Sequence, residues 1–335
     1  MERARELADG VKCAAAELGF SACGITTAEP VAGLATLEAW LAAGLNAGMA
    51  YMEREPAARC EPTALLPEAR SVIVVGASCN FAPSATATTL GQALFARYAR
   101  NLDYHDVLKE RLRLLHAALQ AASGGPVRAR ICVDSSPLLE RALAVRAGLG
   151  FFGKSGMLIH RRFGTWLLLA ELLVDVDLAC DVPAAGRCGR CTRCIDACPT
   201  GAIAAPGMVD SNRCLSYLTI EHRGGFTPEQ AAGLGRRVFG CDVCQEVCPF
   251  NARAEAVADS AFAPRPATTA RTLAELAELD EEQFREQFRR SPVKRARWAG
   301  LRRNAAAALS CSSPVGDHQR AIAADGELVV PNRAT

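Results

Sequence analysis

Cys188-Gly-Arg-Cys191-Thr-Arg-Cys194-Ile-Asp-Ala-Cys198-Pro199 is answered further along by Cys241-Asp-Val-Cys244-Gln-Glu-Val-Cys248-Pro249, with Cys214 between the two runs. The first run has the bacterial ferredoxin spacing, in which three close thiolates hold one [4Fe-4S] cube and the fourth reaches a second. The second run lacks the first cysteine of that quartet, and Cys214 is the other thiol in the segment. The spacing therefore assigns Cys188, Cys191, Cys194 and Cys248 to one cube, and Cys198, Cys214, Cys241 and Cys244 to the other. Zinc ribbons use paired Cys-x-x-Cys units split by a longer loop, which fits this pattern less well. A disulfide framework needs an oxidising compartment and a small coreless domain.

Outside this segment the chain reads as a globular protein of several domains. Its 335 residues are half apolar, and no apolar run approaches the roughly 20 residues needed to span a bilayer. The first residues, Met-Glu-Arg-Ala-Arg-Glu-Leu-Ala-Asp, contain no apolar signal core. With 15 cysteines in the chain, this predicts a reducing, cytoplasmic setting and no membrane partner. The seven scattered cysteines (Cys13, Cys23, Cys60, Cys79, Cys132, Cys180, Cys311) are expected mostly as small buried hydrophobes.

The pattern before the cysteines alternates helix and strand, as an α/β domain does. Helices are expected over 2–19, 34–43, 47–55, 105–122 and 138–147, strands over 22–26, 71–76, 129–133, 156–160 and 165–174, and a loop over 80–89. After a Pro-rich linker at 263–268 the tail reads as helical from about 272. There Ser291-Pro292 forms a cap that opens a helix running into Asn304 and Leu309.

Residues 148–155, Gly-Leu-Gly-Phe-Phe-Gly-Lys-Ser, satisfy the P-loop expression, but a helix precedes them and an apolar run follows. A phosphate cradle needs the reverse order. Asp134 reads first as a helix cap together with Ser135 and Ser136, and second as an acid at the end of a buried strand. His105 lies beside Tyr104, where a surface helix start is the plainer reading. A net charge of +2 argues for no partner, yet residues 285–303 carry eight Arg or Lys against one Glu. Such a run suits phosphate contacts or merely a solvated helix face.

Several stretches together resemble the epoxyqueuosine reductases, cobalamin and iron–sulfur enzymes of tRNA queuosine synthesis. They are Asp103-Tyr104-His105, Val133-Asp134-Ser-Ser-Pro137-Leu-Leu-Glu140-Arg141, Gly153-Lys154, Cys214-Leu-Ser216-Tyr-Leu-Thr-Ile-Glu221, Gly240 to Pro249, and Arg303-Asn304-Ala. The resemblance runs from about residue 20 to about 310, and is most specific over 214–251. It implies an α/β cobalamin-binding domain (1–178), a ferredoxin-like two-cluster domain (179–262) and a short HEAT-like helical tail that docks tRNA (263–335). By the same resemblance Asp134 donates a proton, with its carboxyl pKa raised by burial. Arg97, Tyr104, His105, Arg141, Lys154, Ser155, Leu158, Ser216 and Arg223 face cobalamin. His222, Lys294, Arg297, Arg302, Arg303 and Asn304 contact tRNA. A flavodoxin or a ferredoxin with its reductase would supply electrons to a monomer. Ser155-Gly156 stands where the family has Asn-Thr, and the tail is shorter than is usual there. Two other readings are a corrinoid reductase of a small molecule, resembling reductive dehalogenases, and a ferredoxin-type carrier. The basic tail argues against the first and the large α/β domain against the second.

Overall fold

The computed structural model describes residues 1–81 and 91–311. Its elements are α1 (Glu2–Glu17), β1 (Ala22–Thr27), α2 (Leu34–Ala42), β2 (Ser71–Ser78), β3 (Leu94–Phe95), α3 (Tyr104–Ser123), β4 (Ala129–Cys132) and α4 (Glu140–Arg146). The short hairpin strands β5 (Phe151–Phe152) and β6 (Leu158–Ile159) follow, then β7 (Leu167–Val174). The cysteine segment holds α5 (Arg193–Asp196), β8 (Ile203–Ala205), β9 (Met208–Val209), α6 (Leu215–Ile220), α7 (Pro228–Leu234), β10 (Arg237–Phe239) and α8 (Val243–Glu246). The tail adds α9 (Pro266–Thr269), α10 (Leu273–Glu278), α11 (Glu281–Gln287) and α12 (Arg297–Cys311).

Strands order as β1-β2-β7-β4, and every pair in this sheet is antiparallel. Helices cover both faces, which is why all eight residues of β2 are buried. On one face Ile73, Val75 and Ala77 meet Leu7 and Val11 of α1 and Leu108, Leu112, Leu115 and Leu119 of α3. On the other, Val72 and Val74 meet Leu143 and Ala144 of α4. Each such Leu or Ile contributes about 1.5–3 kcal/mol by leaving water. Asp103 caps α3 by accepting from His105 N, and Gly124 ends it in the left-handed region at φ 76°.

The tail shares its core with the rest of the chain. Phe95 of β3 and Phe239 of β10, paired in parallel, pack with Leu273, Phe288, Val293 and Leu301. Thr272 and Asp280 form capping boxes that start α10 and α11. Among the described residues, no helix is long and apolar enough to cross a membrane.

Several expectations change. Residues 47–55 contain only a single 3₁₀ turn, Ala50–Met52. The strand expected over 156–160 is the two-residue β6, and most of the expected loop at 80–89 lies outside the described residues. Ser291 does cap, accepting from Val293 N, but it opens a 3₁₀ turn that breaks at Arg297, where φ is 63° and α12 begins. Of the scattered cysteines, Cys60, Cys79 and Cys132 are buried while Cys13, Cys180 and Cys311 are exposed.

Candidate active site and cluster-binding thiols

The eight clustered cysteines are all partly buried. Two one-turn helices, α5 and α8, carry Cys194 and Cys244 and pack against each other. Burial raises the Cys194 thiol, and Cys188 and Cys191 raise it further. Burial also raises Cys248, with Cys188 and Cys191 again adding to the shift. Cys214 is raised by burial and then by Cys198, and Cys241, pushed up to about 11 by burial, feels Cys214. Cys244 is raised by burial, then by Cys241 and Cys214, and more weakly by Cys194 across the groups. These influences run mainly among Cys188, Cys191, Cys194 and Cys248, and among Cys198, Cys214, Cys241 and Cys244.

Backbone amides already point at the sulfurs. Ala202 N donates to Cys198 Sγ at 3.2 Å, and Lys154 N to Cys188 Sγ at 3.4 Å. Donors from Ser216 and Tyr217 face Cys214, and those from Phe250 and Asn251 face Cys248. Such bonds favour thiolate and tune cluster potential, so the donor set fits cubane ligation. Among the described residues, no three His, Cys, Asp or Glu side chains converge on a single-ion cage.

The P-loop-like run is a tight hairpin. Gly153 N donates to Met157 O at 2.8 Å, and a Cβ at Gly150 would stand 2.3 Å from Ile159 O. Its glycines allow close strand packing, and its turn carries Lys154 to the first cluster's thiols.

The second centre forms where β4 ends. Asp134 adopts φ 52°, the left-handed region that a non-glycine enters only when its surroundings hold it there. Its amide donates to Glu140 Oε1 at 2.6 Å. Its Oδ2 stands 3.3 Å from His105 Nε2, and its carboxylate also bonds the Tyr104 side chain. His105 Nδ1 meets Asp103 Oδ1 at 2.8 Å, and the imidazole stacks on Tyr104 with centroids 4.1 Å apart. The helix cap next to Asp134 is Leu139, with no side-chain cap bond, so neither Asp134 nor Ser135 nor Ser136 caps α4.

Electrostatics here reverse one expectation. The hydrogen bond from His105 is the chief reason the Asp134 carboxyl lies below its ordinary value. Burial alone would depress His105, but its bonds to Asp103 and Asp134 outweigh that and raise it to about 9. The proton expected on a raised Asp134 therefore rests on His105. The Asp134 side chain keeps 60% exposure, too open for desolvation to prevail over a cationic partner.

The other expected residues fall into four groups. Arg141 donates from Nη1 to Gly156 O at 2.6 Å, tying the Asp134 loop to the hairpin that carries Lys154 and Ser155. Arg97 lies 4.4 Å over the Trp166 ring and bonds Asn80 Oδ1 at 2.6 Å, while its buried Nε has no partner among the described residues. Leu158 is buried at 5% exposure, and Ser216 is half-buried on α6. Arg223 is spent on the carbonyls of Ile220, Ala296 and Arg295, which joins α6 to the tail.

In the basic segment Lys294 and Arg297 are exposed. Asn304 is not: it is fully buried, and its Nδ2 donates to Thr219 O and Val238 O, each at 2.8 Å. This corrects its expected place on the RNA surface, because its amide stitches α12 to α6 and β10. Arg303 bonds the carbonyls of Leu218, His222 and Gly224 as well as Asn304 Oδ1, and Arg302 bonds Ala277 O. His222 Nε2 lies 2.9 Å from Gly225 O.

Four residues near Asp134 were missed from the sequence. Arg295 bonds Glu221 at 2.8 Å and stands 6.0 Å over the Tyr51 ring. Burial raises the Tyr51 phenol, and Glu221, Arg295 and Asp134 all act on it, which places this group within reach of the acid. Glu140 and Glu171 complete the surroundings. Arg295 carried the signal of its basic run; Tyr51 carried none.

Comparison with known proteins agrees with this geometry. The 4Fe-4S double cluster binding domain matches residues 187–251, and the family described as epoxyqueuosine reductase QueG, DUF1730, matches residues 59–135. An epoxyqueuosine reductase of Xanthomonas campestris pv. campestris is 41% identical over 303 residues, covering 89% of this chain and 85% of its own. Two solved structures align over 91% of this chain. One is an epoxyqueuosine reductase with a tRNA-Tyr epoxyqueuosine-modified stem loop, covered to 81% (TM-score 0.83, 31% identity). The other, from Bacillus subtilis and covered to 82% (TM-score 0.84, 30% identity), is described with its aspartate catalytic loop swung out of the active site.

Proposed function

This chain belongs to the epoxyqueuosine reductase family, and from that premise we propose how its own residues carry out the reduction of epoxyqueuosine in tRNA to queuosine. The conversion takes up two electrons and two protons, turns an epoxide into an alkene and releases water. No side chain supplies such electrons. When bound, the two cubes would supply electrons one at a time and cobalamin a low-valent cobalt that delivers them to the epoxide carbon.

The residues toward cobalamin fit a large amide-bearing ring. Among the described residues Arg97 has a buried donor without a partner, Arg141 and Lys154 border the hairpin, and Ser155 lies at its turn. Ser216 and Leu158 complete the proposed lining. The Lys154 amide bond to Cys188 sets this lining beside the cluster thiols.

The observation that carries the proton chemistry is the Asp103–His105–Asp134 chain. His105 holds a proton one hydrogen bond from Asp134, and Asp134 opens to the site. As substrate excludes water, the charge-separated pair loses solvation and the proton moves to Asp134, which gives it to the epoxide oxygen. Tyr104 holds the Asp134 carboxylate in line. The aspartate catalytic loop described in the Bacillus subtilis relative favours the same role.

Exposed Lys294 and Arg297, joined by Arg295 at the mouth of the site, would meet the tRNA backbone. His222, Arg302 and Arg303 would shape that surface through the carbonyls they hold, on the HEAT-like tail proposed for residues 263–335. The division at 178 and 262, a monomeric and cytoplasmic state and a flavodoxin or ferredoxin reductant belong to the same reading.

The test is anaerobic protein supplied with cobalamin, a low-potential reductant and an epoxyqueuosine stem loop. Queuosine formation that depends on the corrinoid supports the reading; formation at the same rate without it overturns the cofactor assignment.

A further inference from the structure

Glu171 is the oddity of the central sheet. It lies within Leu167-Leu-Leu-Ala-Glu171-Leu-Leu-Val174, paired with Val74 on β2 and Cys132 on β4. It is completely buried, and among the described residues neither carboxylate oxygen has a donor. An ion so placed costs several kcal/mol, whereas one added proton removes the charge and supplies a donor. The side chain it is electrostatically coupled to is Glu140, the first residue of α4, a helix that packs on β7. Glu140 is in turn the group that accepts the Asp134 amide at 2.6 Å.

We propose that Glu171 and Glu140 share one proton and act as a latch: Glu171 donates to Glu140, Glu140 holds the Asp134 amide, and the acid is thereby kept in place. Both are positioning residues, and the proposal rests on Asp134 being the acid. Two adjoining carboxyls cannot both ionise out of water. The charged groups around the pair decide which keeps the proton. Arg141 and His105 favour an anion on Glu140. Asp134 opposes ionisation of both carboxyls. On β4 the flanking groups are Cys132 and, beyond it, Arg130, while β2 presents uncharged Val74. Among the described residues no cation acts on Glu171, so the proton stays there; burial drives its carboxyl well above the ordinary range. The latch also explains the backbone. A left-handed aspartate is strained, and the Glu140 bond offsets part of that strain. Loss of the shared proton leaves two repelling anions and frees the loop.

Infrared spectra of the anaerobically purified protein, recorded without substrate, test this directly. A protonated-carboxyl band is expected at neutral pH, kept in Asp134→Asn, lost in Glu171→Gln, and fading in the wild type as pH rises. In turnover with cobalamin and stem loop, Glu171→Leu should lower kcat about tenfold or more with KM unchanged. Glu171→Gln, whose amide still donates, should restore most of that loss and lack the alkaline limb that tracks the band. Absence of the band from wild-type protein overturns the latch, as do Leu and Gln variants with equal kcat and the wild-type pH profile. If the Leu variant does not fold, the wild-type band still decides. Because the band is read without substrate, its absence is distinguishable from failure of the assigned reaction.

Discussion

The loop after β4 and the middle of β7 each present a carboxyl to the same small region, and the two ionise in opposite senses. Asp134 is 60% exposed, faces His105 and is held below its ordinary value. Glu171 is fully buried, faces another carboxyl and is pushed up by desolvation. The contrast shows that the partner decides as much as depth does: a cation 3.3 Å away keeps one group anionic, and a second acid keeps the other neutral. One site thus keeps two protons apart, a mobile one on His105 and a fixed one on Glu171.

The sharpest way to break this contrast is to remove the cation. His105→Ala should cut turnover about a hundredfold at pH 7, within the range of general acid catalysis, as measured by queuosine formation under single-turnover conditions. In the wild type, activity should fall as pH climbs through about 9, where His105 loses its proton, and this limb should be absent from the variant. The sign is fixed by linkage. The stability from a raised histidine is complete below about 6.5 and lost as pH rises through about 9.

The basic segment holds the same opposition between an exposed group and a buried one, in Arg297 and Asn304. Asn304→Ala strands two buried carbonyls and should destabilise the fold by about 2–3 kcal/mol in denaturant titration. Glu171→Gln should remove a pH dependence of stability. The wild-type contribution is complete below about 4.5 and declines by up to about 1.4 kcal/mol per pH unit above it, until the folded value is passed. Paired denaturation curves across pH would show the difference. The smallest effect is expected for Arg297→Glu: unchanged stability, a few-fold loss of tRNA affinity, and a salt dependence shallower by about one.

Legibility followed how local each feature is. The double-cluster domain was readable because a cube imposes spacings of three residues along a short run of chain, and the family model for such a domain matches residues 187–251. Helix α1 was readable from its apolar spacing, α3 from the signals at its ends and β2 from its β-branched run between turn residues. The Asp134–His105 bond joins residues 29 apart, and the proton's location depends on that bond, so burial alone gave the wrong direction. Antiparallel pairing throughout the sheet was equally a matter of long-range contacts. Asn304 was misread because a motif names a residue without saying which way it faces. Glu171 was different: a lone acid inside an otherwise apolar strand is itself a signal, legible in the chain and passed over.

Proton delivery by Asp134 is the step on which the proposed reaction depends. Asp134→Asn, prepared anaerobically, loaded with cobalamin and mixed once with epoxyqueuosine stem loop, should retain about eight irons and bind the RNA normally, yet form queuosine about 10²–10⁴ times more slowly than the wild type. Queuosine appearing at the wild-type rate would contradict it.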